Sequence, residues 1–182
     1  MKFATFIALC FLLAPHMVGA NDLLSELEDR ISSEGPRAVL MDIWNTVKFG
    51  AVLDGIASGN ERWMEVGIKL RSESDAGVTS MLRESFAMAL ITAPSLVLNA
   101  QKEERLKYTV EELCGSAFID EPQIGYSAYF SKAELSVSGI KDKGLEGIKQ
   151  RCLVELQKGR ELYLKAPNQA LQPTSALSRR LG

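Results

Sequence analysis

Apolar residues along this chain recur at spacings of three and four almost throughout, and no stretch sustains the alternation of a half-buried strand. The pattern predicts an all-α fold of packed helical hairpins. An opening helix is expected over about residues 22–32, ended by Ser33-Glu34-Gly35. Pro36 then suits the first turn of a second helix, where the amide that proline lacks would have no partner anyway. That helix carries Leu40, Trp44, Val47 and Ala51 on one face, expected to turn inward; Gly50 and Gly55 soften its second half and leave open a division into two shorter helices. Ser58-Gly59-Asn60 reads as a stop followed by a new cap, and Trp63, Val66, Gly67 and Leu70 form the next stripe. Gly67 on that stripe would admit a close helical neighbour. Asp75 is placed to accept bonds from the free amides of a helix whose inner face is Val78, Leu82, Phe86 and Ala89, flanked by Met81 and Met88.

Pro94 opens a short helix bearing Leu96, Val97 and Leu98, and the charged run 101–108 reads as a surface connection. Thr109 and Glu112 stand at capping-box spacing for a short helix running into Cys114, with Gly115 to end it. A helix over 122–138 should turn Tyr126, Tyr129, Phe130 and Ala133 inward. The last helix, about 145–164, aligns Leu145, Ile148, Cys152 and Leu156, so Cys152 is expected to face the core.

The ends of the chain differ from this middle. Lys2, an uncharged apolar run from Phe3 to Ala14 and the small residues Val18-Gly19-Ala20 have the order of a signal peptide, which predicts cleavage after Ala20 and a mature chain beginning at Asn21. The apolar run is well short of the roughly twenty residues that cross a bilayer, so no membrane anchor is expected after cleavage. Cys10 raises a lipid-anchored alternative, against which stand the bulky Leu9 and the short apolar lead before it. From Ala166 to Gly182 the composition shifts to Pro, Gln, Ser, Thr and Ala with a final Arg179-Arg180, and an unstructured tail is expected. The expected division is therefore 1–20 signal peptide, 21–165 helical domain and 166–182 tail.

Cleavage would change the chemistry available. It removes Lys2, Cys10 and His16, the one histidine, and takes the net charge from −2 to −3. Such a chain has no basic excess for a nucleic-acid backbone, and nucleic acid is not an expected partner. Cys114 and Cys152 would enter an oxidising compartment, a bacterial periplasm or an extracellular space, where one disulfide is the simplest outcome and two unpaired buried thiols the alternative. A bridge closing that loop would contribute roughly 4 kcal/mol by the chain-entropy argument. No Asn-x-Ser/Thr acceptor follows residue 20, which favours a bacterial source over a glycosylating pathway.

Without histidine, Ser-His-Asp and Cys-His catalysis and the commonest metal ligand fall away together. Ser138-Gly139-Ile140-Lys141 has Ser-x-x-Lys spacing, but serine and lysine are frequent enough for one chance match, and the companion motifs are missing. Paired carboxylates need two different environments to act as acid and base. Glu103-Glu104, Glu111-Glu112 and Glu26/Glu28 lie among other charges and read as solvated faces; Glu65, near Trp63, is the more interesting acid, though an outward helix glutamate is its simplest role. Trp44 and Trp63 could line a ligand groove, yet their stripes favour core packing. Asp75 reads as a cap rather than a metal ligand, and Gly55, Gly59 and Gly67 form no phosphate-cradling loop. No catalytic, cofactor-binding or metal residues are assigned.

The string Gly55-Ile56-Ala57-Ser58-Gly59 through Trp63, Leu70 and Asp75-Ala76-Gly77, then Ala89-Leu90 and Pro94-Ser95-Leu96-Val97-Leu98, resembles a family of small exported all-helical proteobacterial proteins. Cys114-Gly115 and Arg151-Cys152-Leu153 fit the same pattern. The resemblance runs over about residues 23–156; it implies an exported domain of helical hairpins and a periplasmic location, and carries no activity, substrate or catalytic residue. The expectation is a non-catalytic protein with a protein partner, one concrete form being a toxin-blocking immunity protein. A small-ligand or cell-wall-binding module, marked by a deep pocket near Trp44 or Trp63, is the second reading, and a carboxylate enzyme acting on the cell wall the third.

Overall fold

A computed structural model describes residues 20–118, 120 and 122–165. The expected signal peptide, apart from Ala20, and the expected tail lie outside the described residues. Within them the chain forms eight α-helices, one π-helical turn and one 3-10 turn, and no strand. The helices are α1 Ala20–Glu34, α2 Pro36–Ile43, α3 Val47–Ala57, α4 Glu61–Arg71, α5 Ala76–Thr92, α6 Pro94–Lys102, α7 Tyr126–Ser138 and α8 Glu146–Lys165; the π-helical turn is Glu111–Gly115 and the 3-10 turn Lys143–Leu145.

Local chemistry sets most of the boundaries. Gly35 separates α1 from α2 at φ 87°, a left-handed conformation that costs glycine nothing, and Pro36 follows at the first helical position. Asn60 caps α4 by accepting from the Trp63 amide (3.2 Å), and Asp75 caps α5 by accepting from the Val78 amide (3.0 Å). Thr109 and Glu112 form a reciprocal capping box: the Thr109 amide donates to Glu112 Oε2 at 2.7 Å and the Glu112 amide to Thr109 Oγ1 at 3.1 Å. The segment they open winds as a π-helix rather than the expected α-turn, and Gly115 ends it. α7 starts four residues later than the apolar pattern suggested, because a turn closed by the Gly125 amide on the Pro122 carbonyl (2.7 Å) precedes it and Gly125 takes φ 78°.

The long expected helix after Pro36 is two helices. α2 stops at Ile43, and Thr46 starts α3 by accepting from the Lys48 amide at 3.2 Å while donating to the Ile43 carbonyl at 2.8 Å. The break changes which residues face inward: Val39, Leu40 and Ile43 from α2, then Phe49, Val52 and Ile56 from α3.

α5 is the central helix, packed against α3, α4, α6 and α7 and the π-helical turn. The expected face of Val78, Leu82, Phe86 and Ala89 is buried, and so are Ser85, Ala87 and Leu90 on its other sides. The core is one cluster that runs from Leu24 in α1 to Leu156 in α8. The run 101–108 is not simply a surface connection. Gln101, Leu106 and Tyr108 are buried, with the Tyr108 hydroxyl donating to the Thr79 carbonyl at 2.8 Å, so the segment is pinned onto α5.

α7 and α8 close the other side. Gly159 lies against the Gly115 carbonyl, and a Cβ there would collide with that backbone atom and press on Phe130. Beside this crossing, Cys114 and Cys152 sit at disulfide distance with Cα atoms 5.4 Å apart, tying the π-helical turn to α8. An aromatic group seals the end: Phe118 meets Tyr129 edge-on at 4.5 Å, Tyr126 stacks on Tyr163 at 4.4 Å, and the Tyr163 hydroxyl donates to the Phe118 carbonyl at 2.6 Å. Each such ring pair adds about 0.5–1.5 kcal/mol beyond burial.

Candidate interaction surface

The two tryptophans, both expected in the core, are placed differently. Trp63 is buried at 6% exposure, on an inward face of α4 with Val66, Gly67 and Leu70 as its stripe suggested. Its indole lies on Gly55 of α3, where a Cβ would run into the ring. Gly67 likewise lets Ile56 and Phe86 approach its backbone. Trp44 is 47% exposed, and Met41 and Val47, at 68% and 90%, share its exposure. The inward assignment of Trp44 and Val47 is therefore corrected: it assumed one continuous helix, and the Thr46 cap breaks that helix before the stripe is complete.

Trp44 closes α2 in helical conformation, its amide donating to the Leu40 carbonyl at 2.9 Å. Met41 is one turn back on the same side and Val47 begins α3, so three large apolar side chains crowd one bend. Charged pairs surround that bend. Arg30 of α1 binds Asp42 (2.8 Å) and Glu34 (2.9 Å), and Lys48 binds Glu26 (2.6 Å). Hydrogen bonds from Arg30 hold the Glu34 and Asp42 carboxyls below their ordinary range, and the two carboxylates raise the guanidinium in turn. An apolar patch within a polar rim is the anatomy of a protein-contact site, and tryptophan is among the residues that dominate binding energy there.

Most of the acids singled out from sequence are paired rather than poised. Glu65 binds Arg105, with Glu103 on the same guanidinium at 3.8 Å. Glu28 binds Arg62, which holds its carboxyl below the ordinary range. Glu111 lies 3.8 Å from Arg151, and Glu112 is occupied in the capping box. Ser138 Oγ donates to the Leu135 carbonyl at 2.8 Å, while Lys141 is exposed. Asp75 is a helix cap, as its position implied. Among the described residues no group of three or more His, Cys, Asp or Glu is placed to hold a metal ion, and no helix is long and apolar enough to cross a membrane.

Set against protein-family models, curated proteins and solved structures, the chain matches none of them.

Two further grooves are formed among the described residues. One, of about 790 Å³, lies between the end of α6, the π-helical turn and the start of α8, and is lined by Gln101, Tyr108, Glu111, Ile148 and Arg151 among others. Arg71 covers Tyr108 from the other side, its guanidinium 4.7 Å from the ring centre, and burial pushes the Tyr108 hydroxyl up to about 12 despite that cation. Glu104 and Lys107, both at φ 58°, shape the segment beside it. Gln101 donates to the Tyr108 carbonyl at 2.6 Å and leaves its buried Oε1 without a protein partner. The second groove, about 430 Å³, lies between α3, α5 and the segment before α7. Neither tryptophan lines either groove. Sequence reading missed both, since each combines residues from three separated segments and neither leaves a local pattern.

Proposed function

We propose that this is an exported, periplasmic, non-catalytic protein whose task is to bind another protein, in the manner of the exported proteobacterial family it resembles. The observation that carries this reading is the exposed bend of Met41, Trp44 and Val47, because a half-exposed tryptophan between two large exposed apolar neighbours has no packing role that explains it. The cysteine pair at disulfide distance supports export, as such bonds persist in oxidising compartments. The lack of histidine beyond His16 supports a non-catalytic role. A toxin-blocking immunity protein is one concrete form.

The test places a photo-crosslinking amino acid at position 47, beside Trp44, in cells and, as a control, at exposed Lys132 on α7. A discrete covalent adduct from position 47 alone, competed by unlabelled protein but not by its Trp44→Ala variant, is the expected result. Equal adducts from both positions, or none, overturn the reading. Fractionation should find the protein in the periplasm with Asn21 at its N-terminus. A small-ligand or cell-wall-binding module is the second reading, favoured by the unpartnered Gln101 Oε1 beside the Tyr108 groove.

A further inference from the structure

The groove between α3 and α5 differs from the rest of the surface in chemistry as well as shape. Its walls are Leu53 and Ala57 from α3, Met81 and Met88 from α5, and Phe118 and Ile124 from the following segment. Met81 is 43% and Ile124 38% exposed, so apolar surface stands open to water on two sides of it. Each wall also contributes one carboxylate: Asp54 from α3, Glu84 from α5 and Asp120 from the segment before α7. Among the described residues that line the groove there is no lysine, arginine or histidine. The neighbouring cation on α5, Arg83, donates to the Ala117 carbonyl at 3.1 Å.

From this we infer that the groove is a docking site for a basic amphipathic helix of a partner protein, its apolar face lying on Leu53, Met81 and Met88 and its flanking lysines or arginines meeting Asp54 and Asp120. Charge complementarity chooses the occupant. Asp54 and Asp120, on two walls of an apolar trough, match a segment whose cations flank an apolar stripe, and they repel an acidic one. The two methionines fit the same use, because a flexible, polarisable thioether adapts to varied apolar partners where a branched side chain would not. A second copy of this chain is a poorer occupant, since the protein is net acidic. The inference rests on the protein-binding reading and adds the partner's chemistry to it.

The experiment uses the mature chain from Asn21 with 13C-labelled methionine methyls, four in all: Met41 in the Trp44 bend, Met64 in the core, and Met81 and Met88 in the groove. The probe is a synthetic amphipathic helix of leucine and lysine, beside a leucine–glutamate helix of the same pattern. The leucine–lysine helix should shift the Met81 and Met88 signals and leave Met41 and Met64 in place, with binding that weakens as salt is raised. The Asp54→Asn, Asp120→Asn double variant should lose about tenfold in affinity, and its unmoved Met64 signal reports an intact core. Equal binding of the leucine–glutamate helix, unmoved groove methionines, or undiminished affinity in the double variant overturns the inference. A shift at Met41 in place of Met81 and Met88 does so too, while leaving the protein-binding reading standing; that reading fails separately, in the crosslinking at position 47.

Discussion

Trp63 lies at 6% exposure where α4 meets Gly55 of α3, whereas Trp44 lies at 47% exposure where α2 ends. Both belong to apolar stripes of helical spacing, and both precede a run of further apolar residues. What separates them is the continuity of the helix. α4 runs unbroken from its Asn60 cap to Arg71, so Trp63, Val66 and Leu70 keep a common inward face. The stripe through Trp44 crosses the Thr46 cap, after which Phe49, Val52 and Ile56 take the inward positions and Val47 is left outside. Periodicity therefore identifies a face only within one helix. A large apolar residue beside a hidden break can become surface.

The comparison is most sharply tested at Trp63. Trp63→Ala should cost about 3–5 kcal/mol in urea unfolding, the range for emptying a large aromatic site, and a loss below about 1 kcal/mol would put both tryptophans in the same class. Gly55→Ala comes next, at about 1–3 kcal/mol, because the new Cβ meets the indole. Combined with Trp63→Ala the sign of that change should reverse, since alanine then gains up to about 1 kcal/mol of helix propensity over glycine. Additive costs would mean that the indole does not rest on Gly55.

Thr46→Ala removes the cap that creates the bend and should cost about 1 kcal/mol by thermal unfolding, with Trp44 fluorescence changing as the bend loosens. No loss would mean that the break is held by packing alone. Trp44→Ala should cost less than about 1 kcal/mol while abolishing the crosslinkable contact, the reverse of the pattern at Trp63. The smallest effect belongs to the rim. Glu34 and Asp42 have folded pKa values depressed by Arg30, so the stability they contribute is present above the ordinary carboxylate range and is lost as pH falls through the depressed values. Arg30→Ala should flatten that acid slope slightly in pH-dependent unfolding and leave neutral-pH stability almost unchanged; a large neutral-pH loss would make the rim part of the core.

Much of the helical middle was legible in the sequence because its signals are local. The caps at Asn60 and Asp75, the capping box at Thr109 and Glu112 and the Gly67 approach each depend on a few neighbouring residues. The break at Thr46 also has a local signal, since Asn45-Thr46 before an apolar run is a helix-start signature, but the helical spacing of the stripe through Trp44 continues across it. The buried Leu106 and Tyr108 were obscured by the charges around them.

What the sequence determined by itself is the all-helical class and most of its punctuation, because caps, prolines and 3.6-residue spacing act within one or two turns. It also named the two cysteines expected to pair, which lie at disulfide distance. The tertiary structure alone decided which faces stay open: that α5 is buried on several sides, that Gly159 receives the Gly115 carbonyl, that Trp44 is left in water, and that Asp54, Glu84 and Asp120 gather around Met81 and Met88. Those outcomes depend on residues far apart in the chain competing for the same space, and no local pattern records which of them wins.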